Sequence, residues 1–186
     1  MAVVDSYITG DDSAVSQNAS SVHVVQTFTP LIGATLTDMR VLIYRVGSPG
    51  TCSLGLYTTD ADGEPDIWLG GIGFNGNAIT TDTAGQWKTV VFAEHLDANT
   101  KYALRLSGGD NASNNINWRC DSTSIYTRGE RLHSTDSGAS YTHYPTQTFM
   151  FEINGDFDYV FSPPVDVITY KRLVAAAADT FWYEDI

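Results

Sequence analysis

Apolar and polar residues alternate with a period of two along most of this chain, the spacing that sends successive side chains to opposite faces of a strand. The pattern is densest over residues 86–106. Trp87, Thr89 and Val91 alternate there with Lys88, Val90 and Phe92; after a turn at Asp97, Ala98, Asn99 and Thr100, Tyr102, Leu104 and Leu106 alternate with Ala103 and Arg105. Residues 22–29 alternate in the same way until Pro30 stops them. Residues 34–46 predict a long strand in which Leu42, Tyr44 and Val46 oppose Val41, Ile43 and Arg45. Gly47, Ser48, Pro49 and Gly50 then turn the chain into residues 51–59, where Cys52, Leu54 and Leu56 share a face, and the two strands read as a hairpin.

Residues 67–80 carry a weaker strand pair, with Trp68, Leu69, Ile72, Phe74 and Ile79 set among glycines and asparagines. A polar loop fills 107–115, residues 116–120 form a strand presenting Trp118, and 147–155 place Phe149, Phe151 and Ile153 on one face. Together these elements predict an all-β chain, an antiparallel β-sandwich over residues 22–156. Residues 1–21 are polar, with apolar patches only at Val3, Val4, Tyr7 and Ile8, and read as an extended N-terminal arm that is ordered where something holds it. Residues 157–186 read as an extended C-terminal arm set off by Pro163 and Pro164. Within it Val167, Tyr170, Leu173, Phe181, Trp182 and Tyr183 are candidate assembly residues, apolar surface suited to gripping a neighbouring subunit; folding back onto the same domain is the competing reading.

Length fits this picture without changing it, since 186 residues suit one domain with a sizeable core. Charge changes it more. The formal net charge is −12, with 22 acidic against 10 basic residues, and no lysine or arginine cluster supplies the positive face that nucleic acid or an anionic membrane requires. Neither is an expected partner. No basic residue precedes Arg40, so the start of the sequence lacks the pattern of a secretory signal, and no run approaches the roughly 20 apolar residues of a membrane span.

Candidate chemistry is sparse. Residues 60–66, DADGEPD, set acidic groups at alternate positions, but aligning Gly63 with the glycine of a calcium loop puts Leu69 where a bidentate carboxylate belongs. A turn at Asp62 and Gly63, without metal, is expected. His23, His95, His133 and His143 stand singly, and no nucleophile elbow, phosphate loop or dinucleotide fingerprint occurs, so neither catalysis nor a cofactor is expected. Cys52 and Cys120 read as two free buried thiols, with a bridge open if their strands face each other. Trp68, Trp118, Tyr126 and Tyr144, with Tyr141, are candidate glycan-binding residues where several reach one exposed face; core packing of the same rings is the competing reading.

Residues 134–141, STDSGASY, resemble the Asp-box hairpin Ser-x-Asp-x-Gly-x-Thr-Trp at Ser134, Asp136 and Gly138, with Ser140 and Tyr141 in the last two places. That resemblance implies a structural role, the aspartate capping its own turn above the aromatic. With the turns at 45–50, 59–65 and 85–87, the 96–104 segment and Trp118, residues 27–155 resemble a jelly-roll-like module of phage and prokaryotic surface proteins. The resemblance implies a jelly-roll-like sandwich that binds or scaffolds without catalysis. The function expected from it is a structural protein of a virion, a phage head-decoration, fibre or tail component. Its partners would be other virion proteins and copies of itself, joined through the arms. The alternative is a carbohydrate-binding module whose partner is a cell-surface glycan.

Overall fold

The computed structural model describes residues 2–158. In chain order the strands are β1 (Ala2–Tyr7), β2 (Ser13–Gln17), β3 (His23–Phe28), β4 (Ala34–Val46), β5 (Thr51–Thr59), β6 (Pro65–Asn75), β7 (Gln86–Val91) and β8 (His95–Leu96). They continue as β9 (Tyr102–Ser107), β10 (Gly109–Asn111), β11 (Asn114–Asp121), β12 (Arg131–Ser134), β13 (Thr142–Tyr144), β14 (Thr148–Phe149) and β15 (Phe151–Phe157). They form two antiparallel sheets, the expected all-β sandwich. The second sheet runs β13-β12-β3-β9-β5-β6. The first runs β1-β15-β4-β11-β10, with β2 and β14 also on β11 and β7 and β8 also on β4.

β4 is the centre of the first sheet because it is long enough to serve several partners. Along one edge it pairs with β15 up to Val41 and with β11 from Ile43 onwards; along the other it pairs with β7 and β8. β11 and β4 therefore diverge, and the run from Thr148 to Phe157 fills the fork between them, first on β11 and then on β4. Met150 sits at the branch. Its N–H donates to the Arg119 carbonyl (2.9 Å), while its carbonyl accepts from Leu42 N–H (3.2 Å) and from Trp118 Nε1–H (2.9 Å). The alternating faces of both sheets close on one core, in which Leu36, Val41, Ile43 and Trp118 meet Val24, Phe28, Leu54 and Leu104. Phe28 and Phe151 stack obliquely between the sheets, ring centroids 6.0 Å apart.

Alternation finds strands but not their partners, and two expectations change for that reason. Residues 34–46 and 51–59 are not a hairpin. β4 lies in the first sheet and β5 in the second, and the Gly47–Gly50 turn, both glycines at positive φ, carries the chain over the end of the core. The turn near Asn99 does the same between β7 and β9. The region 67–80 is one long strand, β6, followed by a single 3-10 turn at Gly76–Ala78, and its hairpin partner is β5 across the turn at 60–64.

The N-terminal segment read as an arm is extended, and this domain's own strands hold it. β1 pairs with β15 and β2 with β11. Side chains reinforce the pairing: the buried Asp5 accepts from Tyr126 Oη–H (2.9 Å) and pairs with Arg128, and Tyr7 Oη–H donates to Asp121 (2.5 Å). Asp11 pairs with Arg119 (3.2 Å), and Asp12 accepts from both the N–H and the hydroxyl of Ser122 (2.8 and 2.7 Å). Val167, Tyr170, Leu173, Phe181, Trp182 and Tyr183 of the expected C-terminal arm lie outside the described residues.

Candidate binding face of the second sheet

What the second sheet shows to solvent is decided by what it gives to the core. Cys52, Leu54 and Leu56 of β5 and Tyr102, Leu104 and Leu106 of β9 point inward. Ser53, Gly55 and Tyr57, and Ala103, Arg105 and Ser107, therefore point outward. Register then sets these outward residues in three rows across β9, β5 and β6: Ala103, Tyr57 and Trp68; Arg105, Gly55 and Gly71; Ser107, Ser53 and Gly73. One row ends in two large aromatics, and the other two are small beyond the arginine. An open trough of about 110 Å³ follows directly, walled by Tyr57 and Trp68 and reached by Arg105.

The two central glycines have different reasons to be there. A Cβ on Gly71 would stand 2.7 Å from the Leu54 carbonyl oxygen, so glycine lets β5 and β6 approach. The nearest neighbours of a Cβ on Gly55 would be the Tyr57 ring at 3.1 Å and the Trp68 Nε1 at 3.4 Å, and it would fill the trough between them. Trp68 is 62% exposed although it sits in a sheet. The Arg105 guanidinium lies over the Tyr57 ring, 5.0 Å from its centroid, and its Nε is buried without a hydrogen-bond partner.

Beside the trough Tyr57 and Tyr141 cover a small apolar patch of Val25, Ala103 and Leu132, fully buried on the outer side of the sheet. Tyr141 reaches it from the 134–141 turn. There Asp136 accepts from the Ser140 hydroxyl (2.6 Å), the Ser134 hydroxyl (2.7 Å) and Ser140 N–H (3.1 Å), which lowers its pKa to about 2. Ser137 and Gly138 take positive φ in this turn. Burial pushes the Tyr141 phenol up to about 12, and its Oη lies 3.0 Å from His23 Nδ1. The His23 pKa is lowered, by burial first and then by the Arg105 charge. At the far edge His143 sits between Glu130 (3.2 Å) and Glu64 (3.4 Å). Burial opposes its protonation, but the two carboxylates prevail and raise its pKa.

The residues proposed for glycan contact do not converge. Only Trp68 presents its ring to solvent. Trp118 is fully buried, stacked on Phe149 at 4.5 Å with its N–H on the Met150 carbonyl, so neither of its faces is free to meet a sugar. Tyr126 is buried against Tyr7 and Phe151 with its hydroxyl on Asp5. Tyr144 is half-buried beneath the Arg131 guanidinium, 3.9 Å from its ring centroid. The partners of Trp68 are instead Tyr57, Gly55 and Arg105. Their signal in the sequence is the small or aromatic residue left at every second position of Ser53-x-Gly55-x-Tyr57 once the core face is assigned.

A larger hollow of about 520 Å³ opens at one end of the sandwich, lined by Leu31, Lys101, Tyr126, Arg128, Glu130 and Pro145. Its polar groups are largely committed: Tyr126 and Arg128 to Asp5, and Glu130 to His143. The acidic turn at 60–66 is closed by Asp60, whose carboxylate accepts from the N–H groups of Asp62 (3.0 Å) and Glu64 (2.9 Å), with Gly63 at positive φ. Cys52 and Cys120 are free and buried, one in each sheet, and burial raises the pKa of both thiols, that of Cys52 to about 11. No protein-family model matches the chain, and no curated protein matches it.

Proposed function

We propose that this chain is a non-enzymatic structural component of a virus particle, a head-decoration, fibre or tail protein, attached through its C-terminal segment. The observation that carries this reading is that the end of the described chain and the open trough lie on different sheets. The described residues end on the first sheet, at Asp158, whose N–H donates to the Gly33 carbonyl (2.8 Å) beside the exposed Leu31 and Ile32. The open trough lies on the outer face of the second sheet. Attachment through the C-terminal segment and display from the trough would then use different layers, as a surface-mounted module needs. The aromatic composition of residues 159–186 and the resemblance of residues 27–155 to phage surface modules support the same reading.

Sedimentation of the full chain and of a chain ended after Pro164 tests it. The full chain is expected to self-associate or to bind particles, and the shortened one to remain a folded monomer. A full-length monomer that unfolds once the tail is removed would place the tail in its own core and end the assembly reading.

A second reading has its own observation. Trp68, exposed beside Tyr57 and within reach of Arg105, has the makings of a sugar contact, an aromatic face next to hydrogen-bond donors. Carbohydrate binding is compatible with a place on a particle surface and would give the displayed face its task.

A further inference from the structure

We propose that the trough on the outer face of the second sheet is a binding site for an acidic sugar, a pyranose bearing a carboxylate, with the ring against Trp68 and Tyr57 and the carboxylate on Arg105. This rests on the carbohydrate reading and narrows it to a chemical class.

Size sets the first limit. At about 110 Å³ the trough is well below the roughly 300 Å³ and more of pockets that enclose a whole ligand. It fits a single ring seated against the surface, with the remainder of a chain outside. The wall sets the second. Trp68 is exposed on a border strand where burial explains nothing about it, and a flat apolar face lined by C–H groups is what a pyranose offers to such a ring. Ser53 and Ser107, paired across β5 and β9, put two hydroxyls on the opposite side of the floor for ring hydroxyls.

Arg105 sets the third. In a chain with more than twice as many acids as bases, arginines find carboxylates easily: Arg40 pairs with Glu152, Arg119 with Asp11 and Arg128 with Asp5. Among the described residues Arg45, Arg105 and Arg131 have no such partner, but Arg45 donates to the Ile79 and Gly47 carbonyls and Arg131 to the Gln147 side chain, whereas Arg105 has only the Tyr57 ring beneath it. A half-buried guanidinium left without a carboxylate is the group that would take one from a ligand, as a charge-assisted pair. The net charge of −12 does not forbid this. Repulsion from distant carboxylates is screened beyond about 8–10 Å in physiological salt, whereas Arg105 acts at contact. A bare anion would explain Arg105 but leave Trp68 unused, and a neutral sugar would leave Arg105 unpaired.

The experiment is an NMR titration of the full chain with methyl β-glucuronide, methyl β-glucoside and acetate, following the Trp68 indole N–H, assigned with Trp68→Phe. The glucuronide is expected to shift that signal and to bind at least about tenfold more tightly than the glucoside, about 1.4 kcal/mol. Acetate alone should leave it unmoved. Arg105→Gln should bring the two sugars level, and Gly55→Val, which fills the floor, should abolish both. If Gly55→Val does not fold, Trp68→Ala on the exposed border takes its place, with binding followed at the backbone N–H signals of Gly55 and Arg105. Equal binding of the two sugars to the unaltered chain would overturn the acidic-sugar proposal and leave carbohydrate binding standing. No binding of either sugar would overturn both, and binding that survives Gly55→Val and Arg105→Gln would show that the sugar sits elsewhere.

Discussion

The two sheets end in border strands made in opposite ways. β1 and β2 on the first sheet are short and tied down by side chains, with Asp5, Tyr7, Asp11 and Asp12 each bonded to a group between Arg119 and Arg128. β6 on the second sheet has eleven residues, joins only β5 among the described strands, and leaves Ile67 and Trp68 in solvent. A border strand is normally a hazard, because its free N–H and C=O groups invite another chain. Charge and side-chain ties neutralise that hazard on the first border. The second keeps an exposed aromatic beside glycines, which makes sense where the border is a working surface. On the proposed function, stability resides in the first border and recognition in the second.

The sharpest way to break this contrast is to delete residues 1–21. An arm would be dispensable, but here the deletion strips β1 from β15 and β2 from β11, and we expect no cooperative thermal transition by circular dichroism. A shortened chain that melts like the full one would erase the distinction. A single substitution gives the next largest effect. Asp5→Ala leaves Arg128 and the Tyr126 hydroxyl without their partner and should cost about 3 kcal/mol in urea unfolding. The figure is at the low end for a broken buried pair because the Arg128 side chain is 36% exposed. The smallest effect belongs to the other border. Trp68→Ala should change stability by less than about 0.5 kcal/mol in the same measurement, since that ring covers little of the core.

Those last two residues also show what a sequence of this kind discloses. Strand positions and core faces were legible: Leu54 and Leu56, Leu104 and Leu106, and Phe149, Phe151 and Ile153 alternate as strands with one buried side, and all are buried. Pairing was not legible, because alternation is a property of one strand while partners are set by where the turns carry the chain. The turn at Gly47–Gly50 reads equally well as a hairpin or as a step between sheets. The acids of residues 1–21 read only as part of a polar arm for the same reason, their partners Arg119 and Arg128 lying more than 100 residues further on. Trp68 and Trp118 both stand in alternating strands, and nothing local distinguishes the ring on a border from the ring at the branch of β4 and β11. The trough was legible only in part. Trp68 was singled out, whereas Gly55, Tyr57 and Arg105 join it through a cross-strand register that one strand's sequence does not carry.

Among the described strands β1 pairs with β15 alone, and this bears on the order in which the sandwich is made. The first strand of the sandwich is matched to the last described one, so residues 2–7 have no strand partner until residues 151–155 have been synthesised. At about 5–20 residues per second that interval is several seconds or more. Throughout it the segment containing Val3 and Val4 is an unpaired apolar strand, the kind that aggregates. Asp5, Asp11 and Asp12 keep the nascent segment charged for that period. The carboxylates that later fasten the N-terminal strands thus begin as their protection against premature association, and replacing them with neutral residues would lower the yield of folded chain even where the finished structure could bear the change.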